Sequence, residues 1–123
     1  MPDTKIYFFQ NPKGDVPLLI WLESIDQTAT IKCIAAIKRL ELFGNTLRRP
    51  TADYLRNGIY ELRIRHKKIN FRILYFFIDR NVAILSHGLK KEKRVPNKEI
   101  KKALGNKQLV SSNFSLYTYR GKV

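Results

Sequence analysis

From Tyr60 to Arg65 apolar and polar side chains alternate, with Tyr60, Leu62 and Ile64 on one side and Glu61, Arg63 and Arg65 on the other. A period of two predicts a strand with one buried face. After the turn "HKKIN", the run Ile69–Ile78 is apolar on both faces and predicts a strand in the middle of a sheet. Arg72 interrupts that run, on the same face as Leu74 and Phe76. A second turn at Asp79–Asn81 leads into "VAILSHGL", Val82–Leu89, a third strand of the same meander.

The first half of the chain follows a different period. "KIYFF", Lys5–Phe9, predicts a short strand at a sheet edge, closed by the turn residues "NPKGD". Asp15 is placed to cap a helix with Pro17 in its first turn, and Leu18, Trp21, Leu22 and Ile25 share one face of it. A second helix is expected from Gln27 to Phe43, its stripe made by Cys33, Ala36, Ile37, Leu40 and Phe43, with Gly44-Asn45 as the left-handed stop. "RRPTADYLRNG", Arg48–Gly58, has no clear period and reads as a polar connector. Near the other end, Pro96 opens a short helix with Ile100, Ala103 and Leu104 on its apolar face, and Gly105 ends it.

Strand, two helices, three antiparallel strands and a short helix make an α+β domain, an N-terminal strand and a helical hairpin packed on a twisted antiparallel sheet. The expected organisation is one domain over residues 1–104 and a tail, 105–123, that either adds a strand or stays mobile.

Composition sharpens this picture at one point. The 123 residues include 24 Lys plus Arg against 10 Asp plus Glu, a formal net charge of +14, while 44% hydrophobic content is ordinary for a folded domain. Such an excess attracts polyanions, so nucleic acid or an acidic protein is the expected partner, and a membrane surface fits less well. A single cysteine excludes an internal disulfide, and the longest apolar run is too short to span a bilayer. A soluble cytoplasmic protein is the expectation. Two histidines and one cysteine without paired spacing argue against a zinc site, and neither common Gly-rich phosphate loop is present. No cofactor is expected.

The arginines inside the strands then need an account. A guanidinium does not shed its proton when buried, so either a carboxylate neutralises Arg72 or its face opens into a cleft for an anion. From Arg63 to Arg94 ten lysines and arginines stand against only Asp79 and Glu92. Carboxylates are too few, which favours anion recognition. Lys67, Lys68 and Arg80, in turns, read as solvated charges, and Arg63 and Arg65 around Glu61 also suit a structural ion-pair ladder. His87, in a strand before a glycine, is more often a hydrogen-bonded core residue than a catalyst. Tyr60, Phe71, Tyr75, Phe76 and Phe77 read most simply as core.

"LRNGIYELRIRHKKINFRILYFF" followed by "VAILSHGLKKEKRVPNKEIKKA" resembles the HigB-type branch of the RelE/ParE superfamily of toxins from bacterial toxin–antitoxin pairs. The Gly-aromatic-"ELR" run, the strand "FRILYF", and "HGL" followed by lysines and a proline occur in the family's order over Leu55–Ala103. The resemblance implies a RelE-like fold and a metal-independent messenger-RNA endonuclease acting on the translating ribosome. A small helix-turn-helix antitoxin, HigA-like, is the implied protein partner. Carried over by motif, Arg63, Arg72 and Lys91 are the catalytic candidates, with Arg65, His87, Lys90 and Lys93 as RNA contacts. The segment between His87 and Pro96 is compact, which leaves both Lys90 and Lys91 open for the lysine position.

The chemistry suits these groups. Attack of a ribose 2′-hydroxyl on its adjacent phosphate needs a proton acceptor, stabilisation of a phosphorane, and a proton for the departing 5′ oxygen. Arginines supply the second through forked hydrogen bonds. A lysine among cations has its charged form disfavoured and becomes a proton-transfer candidate, a task that Glu61 or His87 can share. Two rivals stand beside this reading: a ParE-like toxin that inhibits DNA gyrase without cutting, and a non-catalytic basic nucleic-acid-binding module.

Overall fold

The computed structural model describes residues 3–91 and 93–121. Its strands are β1 (Lys5–Phe9), β2 (Ala52–Arg56), β3 (Ile59–His66), β4 (Ile69–Asp79), β5 (Val82–Lys91) and β6 (Thr118–Tyr119). Its helices are α1 (Pro17–Ser24), α2 (Gln27–Phe43), α3 (Asn97–Ser112) and α4 (Phe114–Tyr117). The strands form one sheet in the order β2-β3-β4-β5-β1-β6. All pairings are antiparallel except that of β1 with β5, so the chain folds as α+β with a mostly antiparallel open sheet.

The period-two pattern explains the layering. Leu62 and Ile64 of β3, with Phe71, Ile73 and Tyr75 of β4, face α1 and α2 and pack on Leu18, Leu22, Ala29, Cys33, Ile37 and Leu40. The residues between them on the strands, Ile59, Leu74, Phe76 and Ile84, face α3 and pack on Ile100, Ala103 and Val110. β4 has apolar residues on both faces because helices cover both, and each large side chain fully buried there contributes about 1.5–3 kcal/mol. α2 ends where Gly44 takes a φ of 53°, as the Gly44-Asn45 stop predicts.

Several expectations need correction. Residues Ala52–Arg56, read as connector, form the edge strand β2, whose Ala52 and Asp53 pair with Leu62 and Glu61. β1 is covered at Phe8 and Phe9 by the two-residue β6 and is not the outermost strand there. Val16, not Asp15, is the residue before α1; Asp15 instead closes a loop through Asn11 Oδ1, which accepts its backbone N–H at 2.9 Å. Phe43 is 49% exposed and lies off the buried stripe of α2. α3 does not stop at Gly105 but runs to Ser112, because Val110 and Leu109 still find the sheet-side core. Among the described residues no helix is long and apolar enough to cross a membrane.

Candidate active site

The β3–β4 hairpin fixes which side chains meet. It turns over Lys67 and Lys68, both at positive φ (50° and 66°), as a two-residue hairpin loop requires. The resulting register sets Arg63 opposite Arg72 and Arg65 opposite Asn70, and β5 then sets Lys91 opposite Asn70. Residues directly opposite share a face. Glu61, Arg63, Arg65, Asn70, Arg72 and Lys91 therefore stand on one side of the sheet, beyond the part that α3 covers.

Glu61 organises this face. Its carboxylate is buried, with Oε2 accepting from the Arg63 guanidinium at 2.7 Å and Oε1 lying 3.2 Å from Arg72 Nε. The second contact is an ion pair by distance without hydrogen-bond alignment, so Glu61 Oε1 and Arg72 Nε–H have no hydrogen-bond partner among the described residues. Arg72, 3% exposed, also donates to the Phe71 carbonyl at 2.9 Å. Burial draws its guanidinium below the ordinary arginine value; the Glu61 charge opposes that shift and Arg63 adds to it. It stays a cation at neutral pH.

Lys91 belongs to the same field. Its ammonium is pulled below the usual lysine value first by partial burial and then by the charge of Arg72, with Glu61 opposing and Arg63 and Arg49 adding. Its Nζ donates to the Lys93 carbonyl at 2.5 Å. Lys90, pairing with Phe71, projects to the opposite face, where its ammonium lies 5.9 Å from the Phe71 ring centroid. The two lysines left open by the sequence are thus separated by the pleat: Lys91 is on the arginine face.

Two shallow hollows of about 510 Å³ each adjoin one another across Asn70. One is lined by Arg49, Pro50, Arg63, Ile64, Arg65, Asn70 and Arg72, the other by Lys68, Ile69, Asn70, Lys90 and Lys91. Arg65 is exposed at the first, and Lys93 is exposed on the segment after β5.

His87 is not brought to this cluster. A bulge leaves Ser86 without a partner on β4, so that Ser86 and His87 both meet α3. Asn106 donates to Ser86 Oγ at 2.9 Å, Ser86 Oγ lies 2.8 Å from His87 Nδ1, and His87 Nε2 lies 2.9 Å from Glu99 Oε1. Asn106 can only donate here, so the Ser86 hydroxyl is free to donate to Nδ1, leaving the Nε2 proton for Glu99. Leu74 stands between His87 and Glu61 across the sheet. His87 is the hydrogen-bonded core residue that its strand position suggests, clamping β5 to α3.

Two members of the face were not found by reading the sequence. Asp53 on β2 sits opposite Glu61, and Arg49 binds it with Nε and a terminal nitrogen each 2.9 Å from Oδ2. The i, i+4 spacing of Arg49 and Asp53 was the available signal, hidden by taking the segment for a connector. Among the described residues, no group of three His, Cys, Asp or Glu side chains is arranged to hold a metal ion.

The sequence-family profile described as phage-derived protein Gp49-like (DUF891) matches residues 20–108, a span that holds every residue of this face. A search of curated proteins found no match to the chain.

Proposed function

Because the chain belongs to the Gp49-like family, one of the RelE-like type II toxin families, we propose that it is a HigB-type toxin that cleaves messenger RNA on the translating ribosome. The observation that carries this reading is the sharing of one buried carboxylate, Glu61, by Arg63 and Arg72, with Lys91 close enough to feel both. One negative charge among three cations leaves a net charge of two to meet an anion. A purely structural ion pair needs no such surplus.

A phosphodiester placed over Arg63 and Arg72 meets half of that surplus, and the second negative charge of the phosphorane meets the rest. Their guanidinium N–H groups donate to the non-bridging oxygens, whose charge grows as the 2′ oxygen attacks phosphorus. The 2′-hydroxyl loses its proton, the bond from phosphorus to the 5′ oxygen breaks, and that oxygen takes a proton. The products are a 2′,3′-cyclic phosphate and a 5′-hydroxyl. Lys91, with its lowered proton affinity, is the proton-transfer group, and Glu61 holds the two arginines side by side. Positioning by the ribosome supplies the in-line geometry that a shallow hollow leaves open. Its protein partner is a helix-turn-helix antitoxin.

Inducible expression with mapping of RNA 5′ ends tests the proposal, alongside Arg72→Ala and Lys91→Ala. Growth arrest with cuts inside translated messages, lost in both variants, is the expected result. Arrest with intact RNA and stalled DNA replication overturns it in favour of a gyrase inhibitor.

A further inference from the structure

We propose that Arg49 is a substrate-positioning residue, a phosphate ligand for the nucleotide next to the scissile link, and that Asp53 is the tether that holds it there. The inference rests on the ribonuclease reading and extends the site to a residue outside the central strands. Arg49 lines the same hollow as Arg63, Arg65 and Arg72. Its charge is near enough to weaken the proton affinity of both Arg72 and Lys91. A fourth cation at this place raises the like-charge repulsion on a face already rich in guanidinium, so some feature must keep it from swinging into solvent.

Asp53 is that feature. Its Oδ2 receives two Arg49 nitrogens at 2.9 Å, while its Oδ1 accepts the Tyr54 N–H at 3.0 Å, which fixes the carboxylate to the β2 backbone. Burial pushes the Asp53 carboxyl up, but the Arg49 hydrogen bond, the Tyr54 N–H and the charges of Arg49 and Arg63 together hold it below its ordinary value. Both contacting nitrogens meet one oxygen, Nε and one terminal nitrogen, so the other terminal nitrogen of Arg49 remains to donate elsewhere. The side chain is 66% exposed, accessible to a ligand rather than sealed in a structural pair. An exposed i, i+4 pair contributes little to folding, so stability alone gives the arrangement scant reason. A cation held by a strand-anchored carboxylate at the rim of a hollow lined by Arg63, Arg65 and Arg72 is what a flanking-phosphate contact needs.

The test measures binding and cleavage separately. Binding of a short single-stranded RNA with 2′-O-methyl riboses, which cannot be cut, is titrated over a range of salt. Cleavage is followed on ribosomes programmed with an unmodified message. Arg49→Ala is expected to weaken RNA binding roughly tenfold and to lower the salt slope by about one phosphate contact. Its cleavage defect lies mainly in KM. Arg49→Lys recovers part of the affinity and all of the salt slope, and Asp53→Asn falls between wild type and Arg49→Ala. If Arg49→Ala leaves affinity and salt slope unchanged while the wild type still cleaves, the inference about Arg49 is wrong and the ribonuclease reading stands. If the wild type neither binds the oligonucleotide nor cuts the message, the functional reading itself is wrong. Melting temperatures within two or so degrees of wild type for all three variants are expected at exposed positions, and a large drop in Arg49→Ala would make the residue structural.

Discussion

Arg63 and Arg72 face each other across adjacent antiparallel strands, and a single carboxylate, Glu61, separates their charges at 2.7 Å from one guanidinium and 3.2 Å from the other. Removing that charge while keeping its shape exposes what it does. Glu61→Gln leaves two like charges directly opposite on the sheet, one of them buried. Loss of one partner from a buried ionic group costs about 3–5 kcal/mol, and Arg63, whose side chain is 24% exposed, places this case near the lower end. Urea unfolding of the two proteins checks it; unchanged stability would mean that Glu61 does not hold the arginines.

Arg72 separates a clamp from a generic positive charge. Arg72→Lys keeps the charge but loses the planar fork and the reach to both the Phe71 carbonyl and a phosphate oxygen. Cleavage of ribosome-bound message by Arg72→Lys is expected to fall about a hundredfold or more, the scale of losing one transition-state donor. A fall of less than threefold would fit a non-catalytic basic surface instead.

The hairpin and its arginine face were legible in the sequence because a strict period of two sends every second residue to one side, and Arg63, Arg65 and Arg72 kept to that parity. The central position of β4 followed from apolar residues on both faces. What escaped notice lacked such a signal. β2 is five residues long and holds Asp53, Tyr54 and Arg56, and its only apolar core residues, Ala52 and Leu55, lie on opposite faces and set no period. Gly105 looked like a helix stop, yet nothing lies within 4 Å of where its Cβ would stand, and the helix tolerates the roughly 1 kcal/mol cost of glycine because residues beyond it pack on the sheet. The turn at Lys67-Lys68 falls where "HKKIN" interrupts the two strands, although its positive φ angles usually select Asn or Gly. The bulge at Ser86, which turns His87 into a clamp for α3, cannot be seen in the run "VAILSHGL" because Val82–Leu85 are apolar on both faces and a slip of one residue leaves no mark in such a run.

Lys91 is expected to trade stability for activity. Its ammonium has a folded-state proton affinity below the usual lysine value of 10.5, so the charged form is disfavoured by folding at neutral pH. That penalty is constant below the folded value and is relieved as pH rises from there to the unfolded one. Lys91→Met removes it, so the melting temperature at pH 7 should rise. Cleavage should fall at least a hundredfold if the amine moves a proton. The wild-type rate should also show an ionisation below 10.5 that vanishes in the variant's residual activity. A variant that cleaves normally would move the proton-transfer role to Glu61.

His87 makes the opposite kind of prediction, on stability and not on chemistry. Burial holds its imidazole below the usual 6.5; Lys102 adds to the shift, and the hydrogen bond to Glu99 opposes it. A histidine kept neutral by folding contributes stability that is fully present above 6.5 and lost as pH falls through that value toward the folded one, where the unfolded chain binds the proton more readily. Between α3 and β5 the groups that face His87 are Glu99, Lys102, Ser86 and Asn106, and protonation would place a second donor against a Ser86 hydroxyl already receiving the Asn106 N–H. The melting temperature should therefore decline from pH 7 to pH 5, and His87→Gln should remove most of that slope while lowering stability at pH 7 by about 1–2 kcal/mol through lost hydrogen bonds. His66, 2.9 Å from Asp26 at the far end of the hairpin, is the other histidine, and His66→Gln provides the control. If the slope follows His66, or if His87→Gln abolishes cleavage at pH 7.5 in a protein that still folds, then His87 is a working part of the basic face and not the clamp behind it.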